Sequence, residues 1–230
     1  MSIIVRMVCK GRFELVNGVK QDYVSKEVLE NTSDLIKNEK EKLINYHILD
    51  LSGNFITRIE NDSLSFYFKH ITELYMINNE LKEMPAEFNQ LQSLEKLYLS
   101  KNKIQSIDNI DKLVCLKVLD LRANRITDCS ILKYNNQLQY LSLSNNLLAN
   151  VESIPQLNSL DSLFLFANQI TALNETLELL GSRTPNLTKL LLSANPATPL
   201  NRSTQEIQQY RQQTKSKLIK LSILDWQPFC

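Results

Sequence analysis

The histidines and cysteines, which supply imidazole bases, thiol nucleophiles and soft metal ligands, are few in this chain of 230 residues. They are His47 and His70 with Cys9, Cys115, Cys129 and Cys230. A thiol or hydroxyl nucleophile needs a base within reach, and a metal needs clustered ligands. The cysteines are scattered without pairs, and neither histidine has a Cys or Ser at a spacing typical of a catalytic family. His47 and His70 read as polar turn residues, and Cys115 and Cys129 as small apolar fillers. Only four glycines occur, and no glycine-rich loop is present to cradle a phosphate. The expectation is a chain that is not an enzyme and takes no cofactor, metal or small-molecule substrate.

A second set of residues suits recognition. Tyr75, Ile77, Tyr98, Asp120, Arg122, Tyr140, Phe164, Phe166 and Leu191 combine aromatic rings, aliphatic side chains and an arginine. That is the composition of an interface centre, where a few large anchors carry most of the affinity. Whether these residues share a surface depends on the elements that carry them, and the spacing of leucine decides that.

Leu94, Leu97, Leu99, Asn102 and Ile104 return as Leu116, Leu119, Leu121, Asn124 and Ile126, a shift of 22 residues. The spacing is L-x-x-L-x-L-x-x-N-x-[LI]. It recurs from Tyr46, Ile71, Leu138, Leu160 and Leu187, giving seven units, each with its asparagine: Asn54, Asn79, Asn102, Asn124, Asn146, Asn168 and Asn195. This pattern resembles the leucine-rich repeat. The resemblance implies an α/β, right-handed solenoid of seven repeats with a parallel concave sheet and a convex side of mixed 3-10 turns and short helices. One unit cannot bury its leucines alone, whereas stacked units fuse them into one core. The asparagine amide, with two donors and an acceptor, is expected to satisfy backbone groups of its own unit and the next.

On such strands the residues flanking the inward leucines face the concave surface. One column reads Asp50, Tyr75, Tyr98, Asp120, Ser142, Phe164 and Leu191; its neighbours contribute Tyr140, Ile77, Arg122 and Phe166. All nine candidates therefore fall on one face. Two readings remain for the rings: they stack along the ladder as good strand formers, or they anchor a partner. Phe164 and Phe166, both directed to water from one strand, favour the second. The expectation is that the rings anchor in apolar recesses, with Asp120 and Arg122 pairing with charges of one folded protein partner.

The pattern also sets boundaries: an N-terminal cap over 1–45, repeats over 46–197 and a C-terminal cap over 198–230. In the first, Arg12 to Val16 and Val19 to Val24 read as two strands around an Asn17-Gly18 turn, and Ser25 as the N-cap of a following helix. The interval before Ile71, with DSLSFYFKHI, predicts a short helix, and TALNETLELLGSRTPNL predicts one ending at Gly181. Ser203 and Glu206 form a capping box for a helix over 204–217. Trp226 is expected to seal the open edge of the seventh unit. Asn195-Pro196, Thr198, Tyr210-Arg211 and Leu224-Asp225 resemble the C-terminal cap of intracellular leucine-rich-repeat proteins such as the spliceosomal A-prime subunit, the axonemal dynein light-chain family and the nuclear regulator of protein phosphatase 1. That likeness implies a scaffold role as the second reading.

Bulk properties exclude other classes. Basic and acidic residues number 26 and 25, leaving a charge of +1, which does not suit phosphate-backbone binding, so no direct nucleic-acid contact is expected. No stretch reaches membrane-spanning length. The opening MSIIVRMVCKG has Arg6 within its apolar run and no small-residue cleavage site, and the cysteines suit a reducing compartment. An intracellular location is expected; similar stand-alone repeat proteins injected by bacterial pathogens imply the host cytoplasm as its counterpart.

Overall fold

The computed structural model describes residues 2–9, 11–20, 23–24, 47–199 and 203–229. Alternation of inward leucines with outward residues produces short strands at the predicted positions. They are β4 (Ile48–Asp50), β6 (Glu73–Tyr75), β7 (Lys96–Tyr98), β8 (Val118–Asp120), β9 (Tyr140–Ser142), β10 (Ser162–Phe164) and β11 (Lys189–Leu191). Each pairs in parallel with the next, and the leucines stay in register: Leu97 opposes Leu119, which opposes Leu141, which opposes Leu163. β12 (Ile223–Leu224) adds one more parallel strand, and β13 (Gln227–Pro228) turns back antiparallel.

At the other end, β1 (Ser2–Cys9) pairs antiparallel with β4 and with β2 (Gly11–Lys20). This corrects the expected hairpin. Cys9 pairs with Gly11 in the antiparallel register of β1 with β2, and Asn17-Gly18 falls inside β2. A turn-forming dipeptide yields when a neighbouring strand offers a longer ladder. β3 (Tyr23–Val24) pairs with β5 (Arg58–Ile59) in a separate small sheet. The helix expected after Ser25 lies outside the described residues.

The convex side is mixed. It holds α1 (Ser65–Phe68), α2 (Leu173–Arg183) and 3-10 turns at Ala86–Gln90 and Ser130–Tyr134. α1 stands where a short helix was expected, and the buried carboxylate of Glu87 accepts from Asp62 N and Ser65 N around its start. α2 runs two residues beyond Gly181, which is a packing residue there: a Cβ would lie 2.9 Å from the carbonyl oxygen of Lys217. That carbonyl ends α3 (Thr204–Lys217), the cap helix, whose N-terminus carries the Ser203/Glu206 capping box.

The asparagines hold the units at fixed pitch. Asn102 Nδ2 donates to Leu99 O of its own unit and Met76 O of the preceding one, both at 2.9 Å, while its Oδ1 accepts from Leu81 N. Asn124, Asn146, Asn168 and Asn195 repeat the arrangement. The bridge therefore reaches back to the preceding unit, not forward to the next as expected. Before each asparagine one residue turns left-handed: Gly53, Asn78, Lys101, Ala123, Asn145, Ala167 and Ala194. For the alanines and lysine this is a strained position, on the order of 1–2 kcal/mol, that the asparagine bonds over-determine.

Candidate functional site

The concave sheet brings the nine candidate residues onto one face but treats them differently. At the N-terminal end, paired strands β6 and β7 put Tyr75 opposite Tyr98, and the rings stack at 4.4 Å with an interplanar angle of 10°. Tyr75 OH donates to Glu73 Oε2, and Lys96 Nζ donates to Glu73 Oε1, each at 2.8 Å. Burial raises the Glu73 pKa, but the two hydrogen bonds outweigh it and the net direction is down. Burial and the neighbouring carboxylate push the Tyr75 phenol up. Ile77 is half-buried at the end of the same strand.

In the middle, Asp120 and Arg122 satisfy each other. Arg122 donates from Nε and Nη2 to the carboxylate at 3.0 to 3.3 Å, and its backbone N–H donates to Asp120 Oδ1. Asp120 is 4% exposed, so only Arg122 offers charge at the surface. The expected pairing of both with a partner is thus corrected for Asp120. A carboxylate buried this deeply needs hydrogen-bond donors or a counter-ion, and Arg122 supplies both.

At the C-terminal end Tyr140 and Phe164 meet edge to face, 5.2 Å apart at 88°. Phe164 in turn meets Trp226 at 5.2 Å and 52°. Phe166 is half-buried beside them. Leu191 is only 7% exposed, because the cap adds β12 alongside β11 and covers the end of its column. Trp226 corrects a further expectation: it is 69% exposed and seals nothing. Leu218, Leu221 and Leu224 close the core at that end, and the Asp225 carboxylate accepts from Leu192 N, Ser193 N and the Tyr210 hydroxyl. Sequence reasoning therefore missed Trp226 as a concave-face residue. Its only signal was the aspartate before it, a residue suited to a left-handed turn.

Among the described residues the histidines and cysteines do not converge. His47 and His70 meet edge to face with ring centroids 6.4 Å apart, outside the concave columns. Burial pushes the Cys129 thiol up to about 12, despite a bond with Ser153 Oγ. Among the described residues no group of three or more His, Cys, Asp or Glu could hold a metal ion, and no helix is long and apolar enough to cross a membrane.

Comparison with known proteins agrees with this geometry. The leucine rich repeat family model matches residues 44–104, and the model for two tandem copies of leucine rich repeats matches residues 92–134. A 62-residue stretch is 37% identical to an acidic leucine-rich nuclear phosphoprotein 32-related protein of Plasmodium falciparum; the match takes in 27% of this chain and 21% of that one. The chain thus spans about a fifth of the curated relative it matches. Among solved structures, internalin C2 of Listeria monocytogenes is 25% identical with a TM-score of 0.60, over 80% of this chain and 82% of that one. Another internalin of that bacterium is 23% identical with a TM-score of 0.62, over 84% of this chain and 52% of its own. A leucine-rich-repeat protein of Leptospira interrogans reaches a TM-score of 0.53 at 24% identity, over 76% and 53% of the two chains.

Proposed function

The chain is a leucine-rich-repeat protein, and we propose that it is a non-catalytic binding module that docks its concave face on one folded protein partner. The fold itself is commonly an interaction module. The observation that carries the reading is the pair of ring clusters, Tyr75/Tyr98 and Tyr140/Phe164/Trp226, left half-buried or exposed on a sheet face with no cover among the described residues. A face kept only for solubility would hold short polar side chains there. Seven strands at about 4.8 Å span roughly 29 Å, enough for a standard patch of about 800 Å² on each partner.

A rigid surface of this kind acts on an enzyme partner by steric occlusion of its cleft and on other partners by scaffolding. The partner is defined by surface chemistry alone. Affinity capture from cell extract with three immobilised proteins tests the reading: the wild type, a concave variant (Tyr98→Ala with Phe164→Ala) and a convex variant (Phe66→Ala). A protein retained by the wild type and the convex variant but lost by the concave variant is expected. Retention by the concave variant and loss by the convex one would move the site off the concave face.

A further inference from the structure

Trp226 is held where its side chain type is not favoured. β12 and β13 join through Asp225 and Trp226, whose φ angles are 50° and 64°. Two successive left-handed residues make the tight hairpin turn in which glycine usually takes the second place, and a bulky residue there is strained. Burial does not offset that strain, because the indole is 69% exposed and its recorded ring contact is with Phe164. The turn is nevertheless fixed. Asp225 Oδ1 accepts from Leu192 N and Ser193 N at 2.8 Å, and Oδ2 accepts from Tyr210 OH at 2.9 Å. A large exposed ring carried on a fixed turn has part of the ordering cost of a contact already met.

The charged groups beside this cluster differ in how far the chain already satisfies them. Arg122 keeps half of its side chain exposed, 54% against 5% for the Asp120 side chain that neutralises it. Its Nη1 has no partner among the described residues. Ser142 and Ser144 complete the neighbouring strand positions without charge. On the far side Lys189 lies 3.8 Å from Asp161, with both half-exposed, and adds no net anion. The free polar group beside the rings is thus Arg122 Nη1, while the Asp225 carboxylate next to Trp226 is already occupied by three donors of the chain.

We propose that Trp226, carried by the C-terminal cap and not by a repeat, is the principal anchor of the docking surface, and that the partner there is a folded protein presenting an apolar side chain flanked on the Arg122 side by a carboxylate. This rests on the reading of the concave face as a docking surface. The partner's apolar group packs against the Phe164, Tyr140 and Trp226 rings, while a carboxylate accepts from Arg122 Nη1 in a charge-assisted bond.

The test uses the full chain and a phage-displayed library of a small helical-bundle scaffold that lacks tryptophan, with one exposed face randomised. Trp226 is the only tryptophan of the chain, so its fluorescence reports on this site alone. Selected binders are expected to carry Leu, Ile or Phe flanked by Asp or Glu, to blue-shift the Trp226 emission and to protect it from acrylamide quenching. Trp226→Ala should weaken them at least ~30-fold, the size of an interface hot spot. Trp226→Gly should weaken them equally while melting at the same or a higher temperature, since glycine relieves the turn. Arg122→Gln should weaken acidic binders and flatten their salt dependence.

Binders that lose affinity with Tyr98→Ala and Phe164→Ala but are indifferent to Trp226→Gly would overturn this inference and leave concave docking intact. Binders indifferent to all of these variants would overturn both. Enrichment of basic flanks around the apolar residue would overturn the assigned partner chemistry.

Discussion

The two ends of the concave sheet carry similar residues to different ends. Tyr75 and Tyr98 lie flat on each other, and Tyr75 is further tied to Glu73, which is tied to Lys96. One face of each ring and the Tyr75 hydroxyl are thus taken up inside the chain. Tyr140, Phe164 and Trp226 meet by edges and at an angle, so ring faces remain open, and the last of them is the most exposed of the three. Aromatic content alone does not mark a binding surface; how much of each ring the chain itself already satisfies does. The first cluster is more fully satisfied within the chain than the second.

That contrast can be broken at the support of the C-terminal end. Asp225→Ala removes the acceptor of three hydrogen bonds and leaves Leu192 N and Ser193 N unpaired at the end of the ladder. A loss of about 2–4 kcal/mol in urea unfolding is expected, together with release of the Trp226 turn. If stability is unchanged, the cap is held by its leucines alone and Trp226 is not fixed.

A smaller effect is expected between the clusters. Arg122→Glu deprives the buried Asp120 carboxylate of its counter-ion and puts a like charge beside it, so a loss of about 1–3 kcal/mol should accompany any loss of binding. This differs from the expectation that an arginine on a solvent face can be reversed without thermal cost. A variant with wild-type melting would show that Asp120 finds water or another donor.

Gly181→Ala probes the seating of the cap helix. In an open helix alanine would stabilise by up to about 1 kcal/mol, but here its Cβ meets the Lys217 carbonyl at 2.9 Å, which backbone must move to relieve. A net loss of about 1 kcal/mol by thermal unfolding is expected; a gain would mean that α3 shifts freely.

The least effect belongs to the N-terminal cluster. Glu73 has a pKa lowered in the folded chain, so it contributes stability that is present above the carboxylate's unfolded pKa and lost as pH falls through the folded one. Glu73→Gln should therefore lose at most about 1 kcal/mol near neutral pH, and the difference from wild type should vanish in the acid range. A difference that persists or grows in acid would show that packing, not charge, is what Glu73 supplies.

Much of the fold was legible in the sequence because the repeat is a covalent fact. The leucine spacing fixed which residues point inward, the asparagines marked where each unit turns, and Ser203 with Glu206 marked the start of the cap helix to the residue. The same period assigned the nine candidate residues to one face, since side chains alternate on a strand whatever surrounds them. Contacts between units and caps decided the rest. The Asn17-Gly18 dipeptide lost its turn to a longer strand, Gly181 became a packing contact with a helix more than thirty residues away in the chain, and Asp120 closed on Arg122. Trp226 left the core for the concave face because Asp225 anchors its turn to backbone groups of the last unit. Local spacing determines the direction of a side chain, but only the folded neighbours determine whether it is already satisfied when it arrives.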